Sequence, residues 1–390
     1  MIATVILIFL LNPFLALVIF GAYLNMNRKL RPDSYFYLFY FLLALFLSFI
    51  NMTKVPENDL AYHSTQYLQA KNYSYSGYLD FIGKEVAFYS FNYWFNYFTG
   101  GSIKYWVLVL TFASYFPFFV AIHKFQKRVS PDSQYILFSV CLAAFFPQLF
   151  SLSAHLMRQF IAGGLLVYFL NEKLIFNSNK WWLAIIGTLL HSSSLILFAL
   201  AYVWFLKERP NKRNFHYFLI LFFILGTYQV VSQLLLPIFS DSMSVSYALT
   251  RASKDTKFDL GSFAAINYFF IATLLYILFK EVYVKNLQKI ISGVEHFGNI
   301  IVILTFFILI NLQQSELSNR LFFYLCFFFP FIIPIALKRQ SFSIIRKVLT
   351  LSIILFFLYR LEFGTWTYDS ISELLSSSTY SFLSREEFKL

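Results

Sequence analysis

The sequence predicts an all-α protein of about ten to twelve membrane-spanning segments, and three observations carry that prediction. Of 390 residues, 59% are apolar and only 13% are charged, roughly half the charge of a soluble domain. Phe and Tyr number 52 and 27, too many rings for a surface that faces water. Apolar stretches of roughly 17–24 residues recur along the chain, near the length a helix needs to cross a bilayer.

Other classes fall away on the same figures. The low polarity excludes disorder. The net charge of +12 would suggest nucleic acid in a soluble protein. In a membrane protein it marks loops that face the cytoplasm, so no nucleic-acid partner is expected. Cys141 and Cys326 lie inside apolar runs. They are too few for a disulfide framework and match no metal spacing.

Taken in order, Ile2–Leu24 is read as a span. It has no charged leader and is long enough to cross, so a cleaved signal peptide is not expected. Further spans are expected at Tyr35–Met52, Tyr105–Ile122, Tyr135–Ser153, Ala154–Leu170, His216–Phe239, Ser262–Phe279, His296–Leu312, Leu321–Leu337 and Val348–Phe363. The stretch Trp181–Phe205 is ambiguous: one long crossing, or two short helices turning at His191-Ser192-Ser193-Ser194.

Charge decides between them. With a turn, and the N-terminus outside, the inner loops hold 19 of the 31 basic residues and 6 of the 19 acids. With a single crossing the basic residues divide 15 against 16. The excess of Lys and Arg on cytoplasmic loops favours the turn. Two helices of about a dozen residues reach only about 18 Å each, so segment 181–205 is expected to be a short re-entrant hairpin. Non-helical backbone at that depth needs protein or a water-filled cavity around it. The second helix, starting near Ser193, is expected to be capped by serine and to point its positive end into a cavity suited to an anion.

No internal repeat or Pro/Gly-rich linker is visible, so residues 1–390 read as one membrane domain. Outer segments are expected at 53–104, with interfacial helices, at 240–261, and in the tail 365–390. Lys84–Tyr97 is expected to lie along the interface with Phe88, Tyr89, Phe91, Trp94 and Phe95 toward lipid.

Three arginines stand near the outer ends of spans: Arg158, Arg251 and Arg320. Arginine at membrane depth is costly and marks function by default, and its fork suits phosphate oxygens. The competing reading is snorkelling to the interface. Histidine at depth can donate to an anion or exchange a proton, which singles out His191 at the hairpin tip. His155 is placed one turn before Arg158 on the same helical face. Segment 56–104 carries Glu57, Asp59, His63, Asp80 and Glu85, with eight tyrosines between Tyr62 and Tyr97. Its acids can take a proton from a sugar hydroxyl; the plainer reading is solvated acids in an aromatic belt. There is no P-loop, no dinucleotide fingerprint, no His-Glu-x-x-His and no Asp-x-Asp pair. No metal or cofactor is expected.

The run Leu156-Met157-Arg158-Gln159-Phe160-Ile161-Ala162, followed by Leu190-His191-Ser192-Ser193-Ser194-Leu195, resembles the EpsG-like exopolysaccharide polymerases, relatives of the Wzy-type O-antigen and capsular polymerases. That family typically shows Arg-Gln-x-x-Ala and then His-x-Ser between short apolar stretches. Asp59-Leu60-Ala61-Tyr62, Glu85 before an aromatic run, and Asn319-Arg320-Leu321 are similar to other parts of it. The chain lacks the Pro-Tyr element that some members carry near the C-terminus.

The resemblance implies a multi-span glycosyltransferase of the lipid-donor type, working at the outer face of a bacterial cytoplasmic membrane. It would move a growing glycan from undecaprenyl diphosphate onto a lipid-linked repeat unit, for lipopolysaccharide, capsule or exopolysaccharide. Membrane lipids, a flippase and a chain-length regulator are the implied partners. Arg158, Arg320, Arg251 and Ser192 would hold diphosphate, and the base would be His191, Glu85 or Asp59. Without a paired-acid metal site, fixed cations would stabilise the leaving group. Two other readings stay open. One is a transporter such as a lipid-linked oligosaccharide flippase, although such folds usually show inverted repeats. The other is an O-antigen ligase or a membrane acyltransferase.

Overall fold

The computed structural model describes residues 2–26, 32–83, 85–153, 155–209, 215–238, 250, 264–312, 315–338, 340–364 and 368–386. Helices follow one another with no strand among these residues. The chain is an all-α polytopic membrane protein. Among the described residues, four helical segments are long and apolar enough to cross a membrane by themselves: Asp33–Asn51, Ile103–Val129, Ala265–Val284 and Leu317–Leu337.

Two of the other expected spans, Ile2–Leu24 and Tyr135–Ser153, are broken, and each break has a local cause. The first is two helices, α1 (Ile2–Leu11) and α2 (Pro13–Met26). Pro13 has no N–H and its ring crowds the preceding turn. Asn12 fills the gap, its side-chain oxygen accepting from the Leu15 N–H at 2.8 Å. Tyr135–Ser153 likewise splits at Pro147 into α8 (Ser133–Phe145) and α9 (Pro147–Ser153). Between these lie α3 (Asp33–Asn51), α4 (Asn58–Gln69), α5 (Tyr75–Ile82), α6 (Val86–Thr99) and α7 (Ile103–Val129). Helix α10 is Met157–Leu170; Leu156, at φ −101° and ψ 42°, keeps His155 out of it. His155 therefore does not share a helical face with Arg158.

Antiparallel pairing of α3 with α7 defines the two ends of the molecule. At one end Lys127 pairs with Asp33 at 2.8 Å, and the His123 Nε2–H donates to the same carboxylate at 3.2 Å. At the other, the Asn51 amide donates to Ser153 at 2.8 Å and to Thr111 at 3.2 Å. Helix α10 runs beside α7, with Phe160 against Tyr115, ring centroids 4.8 Å apart. Its lower continuation, a π-helical turn at Asn171–Ile175, brings Glu172 to Lys124 and to Lys180, the latter at 3.1 Å. We call this the far end.

From Lys180 the chain climbs through α11 (Trp181–Leu190), turns at His191–Ser194, and descends through α12 (Leu195–Ala199) and two 3₁₀ turns. Gly187 lets the arms meet, since a Cβ there would run into the Phe198 ring. The descending arm is caught by α15 (Val294–Ile310). The His296 Nε2–H donates to the Leu200 carbonyl at 3.0 Å, and the Asn299 amide to those of Leu206 and Glu208. Arg209 pairs with Glu295 at 2.5 Å. Phe297 stacks on Phe125, near Lys124. The hairpin thus leaves and returns to the far end.

Helices α13 (Phe215–Leu235), α14 (Ala265–Ile277), α16 (Ser315–Cys326), α17 (Phe329–Ile332) and α18 (Ser343–Phe363) complete the bundle. Short helices α19 (Ile371–Ser376) and α20 (Thr379–Ser384) fold the tail back. Phe382 stacks on Phe49 at 5.1 Å, and the Lys104 ammonium donates to the carbonyls of Leu383 and Arg385. The tail and segment 53–104 lie together, away from the far end.

Candidate functional site

The chain brings a carboxylate, an arginine and two histidines together opposite the far end. Glu85 sits between Gly83, at φ 66°, and the first residue of α6, and is itself left-handed at φ 49°. A non-glycine residue there is strained by about 1–2 kcal/mol. An ion pair and a hydrogen bond hold it. One carboxylate oxygen pairs with Arg158, from the first turn of α10. The other accepts from His191 Nδ1 at 2.8 Å, from the hairpin tip. The side chain of Glu85 is 6% exposed, that of His191 12% and that of Arg158 16%. All three are screened from bulk water yet reachable.

The protonation pattern follows from the partners. The Nδ1 atom must carry its proton to donate to Glu85, so the charge of His191 changes at Nε2. Arg158 Nη2 donates to His63 Nε2 at 3.1 Å. Arginine has no acceptor, so His63 must hold its proton on Nδ1, which donates to Gln66 Oε1 at 3.2 Å. The Tyr89 hydroxyl donates to the same oxygen at 2.8 Å, and Gln66 Nε2 donates to the Tyr62 hydroxyl at 2.9 Å. The guanidinium also lies over the rings of Phe88 and Tyr89, at 5.8 and 5.9 Å. Helices α4 and α6 therefore build a polar and aromatic socket for Arg158.

This arrangement changes one expectation about α6. It does form, but Phe88 and Tyr89 are fully buried rather than turned to lipid; Trp94, Tyr97 and Phe98 are the exposed rings. Burial goes to the residues that grip Arg158.

Arg320 and Asp59 both lie within electrostatic reach of Arg158. The Gln159 amide donates to the Arg320 carbonyl at 2.6 Å, which ties the start of α10 to the middle of α16. Arg251 lies outside the described residues. Ser192 and Ser193 are exposed at the tip, while Ser194 is buried and its hydroxyl donates back to the carbonyls of His191 and Gly187. The serine cap expected for the second short helix is therefore absent. The turn at 192–194 is 3₁₀, and the hydroxyl placed to cap closes the first arm instead.

The sequence places His63 only among the polar residues of segment 56–104 and gives no sign that Gln66 and Tyr89 belong to a site. The spacing of His63 and Gln66, three apart on α4, puts them on one face, but nothing in the sequence says which face looks at Arg158. Lys54 was missed as well. It is buried just past α3, bonded to His155 Nε2, and 5.6 Å from the Tyr368 ring. Burial pushes its ammonium down to about 7.

No cluster of three or more His, Cys, Asp or Glu suited to a metal ion occurs among the described residues. The arrangement can instead exchange a proton at His191 and present fixed positive charge at Arg158 and Arg320.

No curated protein and no solved structure matches the chain. A family model, that of the EpsG family, matches residues 34–380, which include Glu85, Arg158, His191 and Arg320. The chain therefore belongs to the EpsG family of Wzy-like polysaccharide polymerases.

Proposed function

We propose that this protein extends a surface polysaccharide by transferring the growing glycan from undecaprenyl diphosphate to a lipid-linked repeat unit, without a metal, at the outer face of a bacterial cytoplasmic membrane. The observation that carries the reading is Glu85, held between Arg158 and His191. It links a proton acceptor to a phosphate-binding cation.

In this mechanism the acceptor hydroxyl attacks the anomeric carbon of the donor sugar. His191 Nε2 takes the hydroxyl proton, and the new glycosidic bond forms. Glu85 holds the ring by its Nδ1–H and stabilises the imidazolium. This is the carboxylate–histidine logic of many nucleophile-activating sites. The bond from the anomeric carbon to the lipid diphosphate breaks, and the electron pair leaves on the phosphate oxygen. Arg158 and Arg320 place positive charge where that negative charge grows. His63 and Gln66 hold the Arg158 fork in position.

The outward orientation rests on charge. Lys124, Lys127, Arg128, Lys173 and Lys180 all belong to the far end, and cytoplasmic loops concentrate lysine and arginine. The site end then faces outside, where lipid-linked units await polymerisation.

The test is the length distribution of surface polysaccharide in a deletion strain complemented with wild type, Arg158→Ala or His191→Ala. Collapse to a single repeat unit in the deletion and both variants, at unchanged protein level, is the expected result. Absence of any units outside would point to a flippase or ligase. A normal ladder from Arg158→Ala would remove the assignment.

A further inference from the structure

A cavity lies at the far end, remote from Glu85. It is a groove of about 380 Å³ between the lower end of α14, with its π-helical continuation Leu278–Val284, and the segment that follows α17. That volume suits a small-molecule site. Lys280, Lys285 and Lys338 line it, and Glu281 is its one acid among the described lining residues. Glu281 is buried and already committed to Lys285 at 2.5 Å. Lys280 and Lys338 have no carboxylate partner among the described residues. The Lys280 ammonium lies over the Tyr276 ring instead, at 5.6 Å. The groove therefore carries two uncompensated cations.

Its other wall is apolar. Ile277, Ile335 and Ala336 line it toward the bundle, and the exposed rings of Tyr276 and Phe279 continue outward beside it. A soluble anion would gain nothing from that wall. An amphiphile with a phosphate head and acyl chains would use both halves. Basic pockets between spanning helices at the cytoplasmic side are suited to anionic headgroups.

We propose that this groove binds the phosphodiester headgroup of an anionic phospholipid, with Lys280 and Lys338 on the phosphate and the acyl chains along Tyr276 and Phe279. The site is independent of the polymerase reading, because none of its residues touches the Glu85 cluster.

The test uses the full-length protein, extracted from vesicles of mixed phosphatidylglycerol and phosphatidylcholine, with retained lipid counted by native mass spectrometry. Three proteins are compared: wild type, Lys280→Gln/Lys338→Gln, and Lys289→Gln/Lys347→Gln. The last removes the same charge from exposed positions outside the groove. Wild type and the second double variant should keep phosphatidylglycerol over phosphatidylcholine. The groove variant should lose that preference by more than about tenfold. Equal losses in both double variants would mean diffuse charge attraction and would overturn the site. Displacement of the lipid by millimolar inorganic phosphate would make it a soluble-phosphate site and overturn the lipid assignment. Equal retention in all three would also end it.

Discussion

Glu85 accepts from His191 Nδ1 at 2.8 Å across 106 residues of sequence, and the same carboxylate pairs with Arg158. One acid therefore orients a proton acceptor and neutralises a mostly buried cation. The roles are separable, because a neutral isostere keeps the shape and loses the charge. Glu85→Gln should fold, since glutamine can still accept from one partner. It should polymerise about a hundredfold or more slowly, as expected when a histidine loses its orienting carboxylate. Single-turnover assays with lipid-linked units would measure this, and near-normal turnover would exclude His191 as the base.

Glu85→Ala adds a stability effect. It leaves Arg158, which is mostly buried, without its carboxylate. Breaking a buried pair from one side costs about 3–5 kcal/mol, and partial exposure of Arg158 brings this toward the lower figure. The strain of a left-handed Glu85 offsets little, because alanine is equally strained there. The expected result is a drop of several degrees in Tm for the purified protein, larger than for Glu85→Gln. A Tm of Glu85→Ala equal to that of wild type would show that the pair contributes nothing to the fold.

His63 and Gln66 act through Arg158 and are positioning residues. His63→Ala removes the acceptor of one guanidinium N–H, and Gln66→Leu removes the acceptor that fixes the His63 tautomer. A hydrogen bond to a charged group is typically worth about 1.5–3 kcal/mol, roughly 10–100-fold. The loss should fall mainly on donor affinity, seen as a raised KM with a smaller change in kcat. Rescue by His63→Gln, whose side-chain oxygen can accept from Arg158, would distinguish positioning from proton transfer. A fall confined to kcat would contradict the positioning role.

The legible and illegible parts of this molecule divide along physical lines. Membrane residence follows from composition, because a bilayer imposes hydrophobicity on every long helix. The ends of α1 and α8 follow from Pro13 and Pro147, once proline is allowed to break an apolar run that length alone would call continuous. The motif residues Arg158 and His191 stand out because charge and imidazole are rare among apolar neighbours. Their meeting with Glu85 does not, because it depends on how α6, α10 and α11 pack. That packing was decided by residues such as Phe88 and Gly187, which look like any other phenylalanine or glycine. Lys54 was invisible for a related reason: burial alone distinguishes it from an interfacial lysine.

The hairpin depends on Gly187. Its missing side chain admits the Phe198 ring, and the two arms place His191 at Glu85. Gly187→Val should force the arms apart, because the ring would have to move against the buried Phe169, whose centroid lies 5.6 Å away. Overpacking of this kind costs about 1–3 kcal/mol. Activity should fall more than Tm does, since the tip moves while the rest of the bundle remains. Phe198→Leu in the same chain should restore part of the activity by making room. Failure of that rescue, with Gly187→Val still folded, would mean the tip is positioned by other contacts.

Lys54 supplies a pH signature. Its folded pKa is pushed down to about 7 by burial beside His155, whereas the unfolded chain should titrate near 10.5. Between these values the unfolded state binds more protons than the folded state. Unfolding therefore becomes less favourable as pH rises, by on the order of 1 kcal/mol per pH unit for a group so buried. Below about pH 7 both states are protonated and this dependence vanishes. Lys54→Met removes the group and should flatten the profile between pH 7 and 9. Tm scans of wild type and variant over pH 6–9 should diverge above pH 7, with the wild type rising relative to the variant. Parallel curves would mean that Lys54 keeps an ordinary lysine pKa and that its contact with His155 does not restrain its charge.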